Sequence, residues 1–379
     1  MPGFTLYIHV PFCSRGKCPY CDFYSVSSPT PEQVEGYLHA LEVELTRSVE
    51  DYPEDLKVES IYFGGGTPSL LEPEHIWGIY CRIKSLWSLI PDAEFTLECN
   101  PEDLSLRRAT GYLSAGVNRL SLGCQSFDNR QLELLGRTHQ ESHCRAAVES
   151  AREAGFVRLS VDLIFGAPQS DEQSLLESIE KTLSLGANHL SIYGYHLEEN
   201  CPAYSRADLA PVEDELYRSQ YLAACSKLKD AGWRHYEISN WAASSAGFCR
   251  HNLAYWSRRP SLGCGPAAHS FRPPELRIWN VDDLEEYIIT GERKIPLPRR
   301  TERLDKEQVL LEKIMLGLRQ EPGVESALIE EFTGDRLEET LLALQEEGLG
   351  SLTGGGRLVL SEQGWLVYDE ILRRLVGSK

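Results

Sequence analysis

The chain has 379 residues, 42% of them hydrophobic, which is enough for one large globular domain and a smaller one. Its formal net charge of −19 disfavours binding to nucleic acid or to anionic lipid, because such binding depends on lysine and arginine meeting phosphates. The sequence has no apolar run of about 18 residues and begins without a signal-peptide pattern, so neither direct membrane insertion nor secretion is expected.

The first 200 residues alternate between strand and helix patterns. Apolar runs predict strands at residues 6–10, 58–63, 94–98, 117–122, 157–165 and 189–193. Helical spacing of apolar residues predicts helices behind them, including 31–50, a stretch reaching about 90, 140–154 and 171–185. This alternation predicts an α/β fold with a parallel sheet, and its six units are two short of a closed eight-stranded barrel. We therefore expect a partial (β/α)6 TIM-like barrel with a wide mouth.

The pattern loosens after residue 200. A long helix is expected at about 211–230 and a further strand at 235–240. A segment rich in proline and arginine, about 295–303, has the composition of a linker. These features divide the chain into predicted domains at 1–200, 201–295 and 304–379.

The tail after the predicted linker has a pattern of its own. Helices are predicted at 309–318, 324–332, 337–347 and 362–375, with a hairpin around Gly354-Gly-Gly356. Helices with a hairpin indicate a small helical, winged-helix-like domain. Residues 305–379 contain 15 acidic and 8 basic residues, a net charge of −7, so a winged-helix regulator that reads DNA is disfavoured.

The first strand leads into a loop with three cysteines, Cys13, Cys18 and Cys21. Eleven cysteines without a secretory signal favour a reducing cytoplasm, where clustered thiols indicate a metal or a cluster more than disulfides. A closed zinc site needs four ligands, and no second CxxC exists. The C-x4-C-x2-C spacing fits a two-iron cluster, but the next cysteine is the distant Cys81. Three thiolates suit a four-iron cluster with one open iron; the two-iron, zinc and unliganded alternatives stay open.

Polar and glycine residues recur where the predicted strands end, at the rim that carries active sites in parallel α/β folds. Gly64-Gly-Gly-Thr-Pro68 is not a phosphate loop, but its glycines allow a ligand to approach the backbone. Ligand contact is favoured because the segment shares its rim with the cysteine loop, and a tight turn is the alternative. Glu98 ends an apolar strand and Asp162 lies inside another, where a carboxylate needs a partner. For each residue, a structural salt bridge and a ligand contact are equally open interpretations. Three more polar residues fall on or after the fourth strand: Ser121, Gln125 and Arg137.

A second group of candidate residues lies at 249–256. Cys249 and His251 are possible iron ligands, and Tyr255 and Trp256 offer flat aromatic surface. A porphyrin site needs an axial donor and apolar walls, which this segment could supply. The alternative is a packed aromatic segment with a hydrogen-bonded histidine.

Several ordered motifs together resemble the radical S-adenosylmethionine superfamily, and within it the oxygen-independent coproporphyrinogen III oxidase-like group. They are Tyr7-x-His-x-Pro-Phe-Cys13 with Cys18-x-Tyr-Cys21, Gly64-Gly-Gly-Thr-Pro68, Leu97-Glu-x-Asn-Pro101, Ser121-Leu-Gly-Cys-Gln-Ser-Phe127 and Asp162-Leu-Ile-x-Gly-x-Pro168. The resemblance implies a [4Fe-4S] cluster on the three loop cysteines, with S-adenosyl-L-methionine on the open iron. It also implies a set of residues around that cofactor: Tyr7, Tyr20, Gly65, Gly66, Thr67, Glu98, Gln125, Arg137 and Asp162.

Two features distinguish branches of this group. The oxidases carry a fourth cysteine two residues after the third, where this chain has Phe23, and an N-terminal extension. The stretch His251-Asn-x-x-Tyr-Trp256 is similar to the heme-binding motif of HemW-type heme chaperones, which adds Asn252 to the heme-binding candidates. The resemblance therefore implies a chaperone that carries heme to an apo heme protein, with a respiratory protein as one candidate acceptor. The alternative is a decarboxylating coproporphyrinogen oxidase.

One departure from the family's pattern lies in the cysteine loop. The usual spacing is C-x3-C-x2-C, whereas this chain has one more residue between Cys13 and Cys18. Gly16 is the residue expected to let the loop absorb it.

Overall fold

The computed structural model describes residues 3–14, 16–52, 55–333 and 337–377, so Arg15 of the cysteine loop lies outside the described residues. The strands are β1 (Gly3–Val10), β2 (Phe12–Cys13), β3 (Val26–Ser27), β4 (Lys57–Gly65), β5 (Ser88–Cys99), β6 (Arg119–Gln125), β7 (Arg158–Phe165), β8 (His189–Gly194), β9 (Arg234–Glu237), β10 (Asn240–Ala242), β11 (Ser261–Cys264), β12 (His269–Arg272), β13 (Leu276–Asn280), β14 (Arg299–Arg303), β15 (Val324–Glu325), β16 (Gly350–Leu352) and β17 (Arg357–Leu360). The helices are α1 (Pro31–Ser48), α2 (Pro73–Leu86), α3 (Leu106–Ser114), α4 (Asn129–Leu134), α5 (Glu141–Ala154), α6 (Glu172–Leu185), α7 (Asp214–Asp230), α8 (Arg250–Trp256), α9 (Leu284–Arg293), α10 (Lys306–Leu318), α11 (Ser326–Thr333), α12 (Leu337–Glu346), α13 (Glu362–Leu366) and α14 (Tyr368–Val376).

A 12-stranded sheet forms the centre of the main domain, in the order β14-β13-β12-β11-β1-β4-β5-β6-β7-β8-β10-β9. The six predicted strands are confirmed as β1, β4, β5, β6, β7 and β8, neighbours that run parallel in chain order. Every residue of β1 except Tyr7 is buried, as expected for a strand covered on both faces. The sequence therefore predicted the open parallel barrel correctly.

Local signals in the sequence set the ends of the covering helices. Thr30 and Gln33 form a reciprocal capping box at the start of α1, with Pro31 at its first position. Helices α5 and α6 both end at a glycine in the left-handed conformation, Gly155 (φ 103°) and Gly186 (φ 80°). In the described part of the chain, no helix combines the length and apolarity that a membrane span requires.

The segment after residue 200 contributes to both edges of the sheet, which the sequence did not indicate. The predicted strand at 235–240 is instead two short antiparallel strands, β9 and β10, and β10 pairs with β8 at one edge. On the other side, β11 is a seventh parallel strand that pairs with β1, and β12, β13 and β14 continue the sheet to its edge. Residues 88–90, expected to be helical, begin β5, where Ser88 pairs with Lys57 of β4.

The linker prediction at 295–303 is wrong for its second half, which forms β14. This strand pairs antiparallel with β13, with Leu276 opposite Arg303. Arg299 of β14 places its guanidinium 3.1 Å from the carboxylate of buried Glu44 on α1. A charge pair far apart in sequence thus holds β14 to the main domain.

Glu44 is the centre of a buried polar cluster that joins α1 to the sheet edge. Its carboxylate accepts hydrogen bonds from the Gly265 backbone N–H (2.8 Å), the Asn280 side-chain amide (2.7 Å) and the Tyr287 hydroxyl (2.8 Å). With Arg299, these donors satisfy a carboxylate that is only 5% exposed. The cluster fixes the position of β11, which flanks the strand leading into the cysteine loop.

The C-terminal module has its own hydrophobic core and a three-stranded sheet in the order β15-β17-β16. Ile314, Ile329, Leu344 and Ile371 are fully buried in that core, which confirms the predicted C-terminal helical domain. The module touches the main sheet through a bridge between Glu237 and Gln320. The predicted domain boundaries themselves stay predictions.

Candidate cofactor and ligand site

Strand register brings the predicted rim residues to one end of the parallel sheet. Glu98 at the end of β5 lies opposite Ser121 of β6, and Gln125 lies opposite Leu163 of β7. Gly65 at the end of β4 lies opposite Val10 of β1. The carboxyl ends of these strands therefore form a single polar rim.

The glycines after β4 allow it to pack closely against the start of the cysteine loop. The Gly66 N–H donates to the Val10 carbonyl (2.9 Å), and the Thr67 N–H donates to the Phe12 carbonyl (2.6 Å). A Cβ on Gly66 would lie 2.5 Å from the Phe12 carbonyl oxygen, and one on Gly65 (φ 110°) would lie 2.5 Å from the His9 ring. These glycines thus position the chain just before Cys13.

Cys13, Cys18 and Cys21 are free, half-buried thiols on one loop. The loop turns tightly, since the Cys21 N–H donates to the Cys18 carbonyl at 3.1 Å. Burial raises the pKa of the Cys21 thiol to about 11, and the neighbouring Cys18 and Cys13 contribute to this shift. Three thiols close enough to influence one another, on a partly accessible loop, fit the donor set of an iron–sulfur cluster with one open iron.

Sequence reasoning missed the residues that brace the CxxC turn from outside the loop. Cys201, a buried thiol, donates to the Tyr20 carbonyl at 3.2 Å, and the Ala203 N–H donates to the Pro19 carbonyl at 3.0 Å. Nothing in the pattern around residue 200 connects it to the first loop. These contacts hold the turn in place without adding a fourth thiol to the loop itself.

Arg137 connects three of the predicted motifs. Its guanidinium lies 3.5 Å from the Cys18 sulfur, 2.7 Å from Asn100 Oδ1 and 3.1 Å from the Gly123 carbonyl. Burial works against its charge, but the nearby Tyr20 and Cys18 raise the pKa of Arg137, so it remains a cation. The Arg137 cation thus lies beside a sulfur of the cysteine loop and donates a hydrogen bond to it.

Glu98 and Asp162 both find hydroxyl partners, and among the described residues neither forms a salt bridge. Glu98 accepts a hydrogen bond from the Tyr62 hydroxyl at 2.8 Å, and burial raises its pKa to about 7. Asp162 accepts hydrogen bonds from the hydroxyls of Ser121 (3.0 Å) and Ser160 (3.2 Å), and burial raises its pKa. The partners that Asp162 requires are thus serine hydroxyls, Ser191 included.

A cavity of about 710 Å³ opens beside this rim. Tyr7, Gly65 and Glu98 of the predicted cofactor set line it, and Phe23, which is 59% exposed, lies at its edge. The rest of that set lies around the rim but does not line the cavity: Tyr20, Gly66, Thr67, Gln125, Arg137 and Asp162. A volume of this size is in the range of small-molecule and cofactor sites.

Two of these rim residues have surroundings of their own. Tyr20 packs in a small cluster with Leu135, Ala167 and Tyr195. Gln125, in the left-handed conformation (φ 64°), lines a separate small pocket. Neither arrangement was indicated by the sequence.

The aromatic motif on α8 also lines the large cavity. His251, Asn252, Tyr255 and Trp256 all line the cavity, so the structure brings this motif and the cofactor rim to one space. Cys249 does not line it, because its buried thiol points to the Glu94 carboxylate at 3.6 Å.

His251 is only 1% exposed, and both of its ring nitrogens have partners. Nδ1 lies 2.8 Å from the Ser60 hydroxyl and Nε2 lies 3.0 Å from the Tyr255 hydroxyl. The ring stacks on Tyr62 with centroids 4.9 Å apart. Burial lowers the pKa of His251 to about 3, so the imidazole is neutral and can offer a lone pair. Tyr62 touches both His251 and Glu98 and thus connects the motif on α8 to the cofactor rim.

Three arginines that the sequence reasoning missed also line the cavity: Arg258, Arg259 and Arg277. Arg258 and Arg277 both pair with Glu312 of the C-terminal module. The sequence indicated two of them, since the pair Arg258-Arg259 follows the motif one residue later. Arg259 pairs with Glu59, so each of the three arginines has a carboxylate partner, and the Glu312 carboxylate lines the cavity beside them.

Comparison with known proteins agrees with this architecture. Residues 7–182 match the Radical SAM superfamily, and residues 304–367 match the HemN C-terminal domain. The "Heme chaperone HemW" of Bacillus subtilis is 35% identical over 99% of this chain and 99% of its own length. HemW of Mycobacterium tuberculosis is 34% identical, over 100% and 96%. The mitochondrial "Radical S-adenosyl methionine domain-containing protein 1" of Mus musculus is 33% identical, over 98% and 87%.

Among solved structures, coproporphyrinogen III oxidase (HemN) from Escherichia coli superposes with a TM-score of 0.82, covering 99% of this chain and 90% of its own. At 21% identity this likeness shows a shared fold. The predicted family is confirmed by the relatives that align from end to end. The chain belongs to the HemW family within the radical SAM superfamily.

Proposed function

We propose that this protein is a heme chaperone, which binds heme in the large cavity and delivers it to an apo heme protein. The observation that carries the proposal is that His251, Tyr255 and Trp256 line the same cavity as Gly65 and Glu98. The name of its full-length relatives, heme chaperone HemW, supports the same function. We further propose a cytoplasmic location and an acceptor among apo heme proteins, with a respiratory protein as the candidate.

The residues of the rim fit the cofactors of the superfamily, a [4Fe-4S] cluster and S-adenosyl-L-methionine. Cys13, Cys18 and Cys21 would hold the cluster, and the Arg137 guanidinium would donate a hydrogen bond to the Cys18 sulfur. When bound, these cofactors supply the capacity for reductive cleavage of S-adenosyl-L-methionine. Glu98, whose pKa of about 7 leaves it partly ionised at neutral pH, would accept hydrogen bonds from an ammonium or a ribose.

The cavity's chemistry suits a flat, apolar ring with acidic groups at its edge. Tyr7 and Tyr62 stack at 6.2 Å and provide an aromatic wall. Arg258, Arg259 and Arg277 would bind the carboxylates of the heme in exchange for their present partners, Glu312 and Glu59.

His251 is the candidate axial ligand because its imidazole is neutral. Its Nε2 must part from the Tyr255 hydroxyl before it can bind iron, since one lone pair cannot serve both. Heme binding would therefore be accompanied by a rotation of Tyr255. Loss of that hydroxyl should leave Nε2 free in the protein without heme.

Anaerobic reconstitution of the full chain tests this proposal. Heme is titrated into one sample and followed by its Soret absorbance, and coproporphyrinogen with a reductant is added to a second. We expect stoichiometric heme uptake without substrate turnover. Decarboxylated product would instead establish the alternative, a coproporphyrinogen oxidase, which the residue Phe23 disfavours.

Two variants locate the heme. His251→Ala should weaken heme binding at least about tenfold, equivalent to about 1.4 kcal/mol, with iron in the cluster unchanged. Tyr255→Phe should retain binding. His189→Ala is the matched control, because His189 is equally buried but lies outside the cavity. Unchanged heme affinity in His251→Ala would remove this residue from the site.

A further inference from the structure

Three potential metal ligands meet where the C-terminal module contacts the edge of the main sheet. Cys225 lies on α7, His235 on β9, and Glu362 is the first residue of α13. One ligand atom from each, a thiol sulfur, a ring nitrogen and a carboxylate oxygen, lies within 4.8 Å of the other two. Cys225 is only 1% exposed, and the other two residues are half-buried. The group lies outside the large cavity, so the function proposed above does not use it.

The His235 ring is held in one orientation. It stacks on Trp241 with centroids 3.8 Å apart and meets Trp365 of the C-terminal module edge-on at 4.4 Å. Its Nε2 lies 3.4 Å from the Ile238 carbonyl oxygen. Because a carbonyl only accepts hydrogen bonds, this contact puts the proton on Nε2 and leaves the lone pair on Nδ1.

That lone pair lacks a partner. Nδ1 of His235 is buried and has no hydrogen bond among the described residues. A buried polar atom without a partner costs about 1–3 kcal/mol, so most such atoms have one. Histidines that bind metals commonly donate their other N–H to a backbone carbonyl, which is the arrangement seen here.

We propose that Cys225, His235 and Glu362 bind a zinc ion that ties the C-terminal module to the main sheet. Thiolate, imidazole and carboxylate are the ligands that zinc takes in proteins, whereas calcium and magnesium prefer oxygen ligands alone. Three protein ligands leave a fourth position for water. On coordination the Cys225 thiol loses its proton to solvent, and no electron is transferred. Burial and the Glu362 carboxylate raise the pKa of this thiol, and a bound cation reverses that effect.

The test uses the full chain with Cys13, Cys18 and Cys21 replaced by alanine, so that zinc cannot bind to the loop. Zinc chloride is added, excess is removed by gel filtration, and zinc per chain is measured by mass spectrometry. We expect one zinc per chain. Cobalt chloride in place of zinc should give the near-ultraviolet absorption of a cobalt–thiolate bond.

Variants of that chain assign the ligands. Glu362→Gln, which keeps the shape of a half-buried side chain, should weaken zinc binding at least about tenfold, measured against a competing chelator. Cys225→Ser should remove the cobalt–thiolate absorption. Cys81→Ser, which changes an exposed cysteine on α2, is the control and should alter neither. Less than stoichiometric zinc in the parent chain, or equal affinity in Glu362→Gln, would overturn the proposal. This result is independent of heme binding, so either proposal can fail alone.

Discussion

The tight contact between Gly66 and the cysteine loop leads to a sharp prediction for Gly66→Ala. The new Cβ would lie 2.5 Å from the carbonyl oxygen of Phe12, 2.9 Å from its carbonyl carbon and 3.0 Å from its nitrogen. All three are backbone atoms, so no side-chain rotation can relieve the overlap. The loop before Cys13 has to move instead.

The size of this movement follows from the geometry. A carbon and a carbonyl oxygen in close contact sit about 3.3 Å apart, so the Phe12 backbone must shift by about 0.8 Å. That exceeds the roughly 0.5 Å within which a functional arrangement must be held. Overpacking of this kind costs about 1–3 kcal/mol. We therefore expect both lower stability and poorer retention of iron by the neighbouring thiols.

Thermal unfolding and iron content per chain, after identical anaerobic reconstitution, measure the two effects. Gly78→Ala is the matched control, because Gly78 is exposed on α2 and a Cβ there meets nothing within 4 Å. It should stabilise the helix by up to about 1 kcal/mol. If Gly66→Ala has the melting temperature and the iron content of the unchanged chain, the inferred contact between β4 and the loop is wrong.

Three further predictions concern buried charge. Glu98→Gln should raise the melting temperature at about pH 8 and change it little at about pH 4. Burial raises the pKa of Glu98 from 4.5 to about 7, so the folded state loses stability as the pH rises between these two pKa values. Parallel plots of melting temperature against pH for the variant and the unchanged chain would contradict this prediction. Arg137→Gln should reduce the iron retained, because a charge-assisted contact with Cys18 is worth about 1.5–3 kcal/mol; Arg145→Gln, which changes an exposed helix pair, should not. Glu44→Ala should destabilise the fold by about 3–5 kcal/mol in denaturant unfolding, because the buried donors of Asn280 and Tyr287 lose their acceptor and Arg299 is left with the more distant carboxylate of Asp51, at 4.0 Å. A loss below about 1 kcal/mol would show that solvent replaces the lost carboxylate.

The strands and helices of the first 200 residues were predictable because each carries a local signal. Apolar runs mark β1 and β7, and glycines such as Gly155 mark helix ends. The strand β11 carried no such signal, since Ser261-Leu-Gly-Cys264 is short and contains a glycine. Its place beside β1 depends on distant residues, including Glu44 on α1.

The predictions about the site rest on residue type, which limits the chemistry of a side chain, and they omit the partners that decide its state. Three thiols in one loop already indicated a cluster, whatever the fold around them. The hydroxyl partners of Asp162 and the direction of the Cys249 thiol could not be predicted, because both depend on neighbouring strands and helices. The contact of the Cys201 thiol with the Tyr20 carbonyl could not be predicted for the same reason.

The sequence by itself determined the family, the alternation of strand and helix, and the thiols of the loop, because these depend on local pattern and residue chemistry. Only the tertiary structure decided that α8 packs against β4 and shares one cavity with the rim of β4 and β5, since this follows from the packing of segments far apart in the chain. The same packing gave His251 its two partners and kept its ring neutral. Burial and long-range contact, which no local pattern encodes, thus set the chemical state of the site's residues.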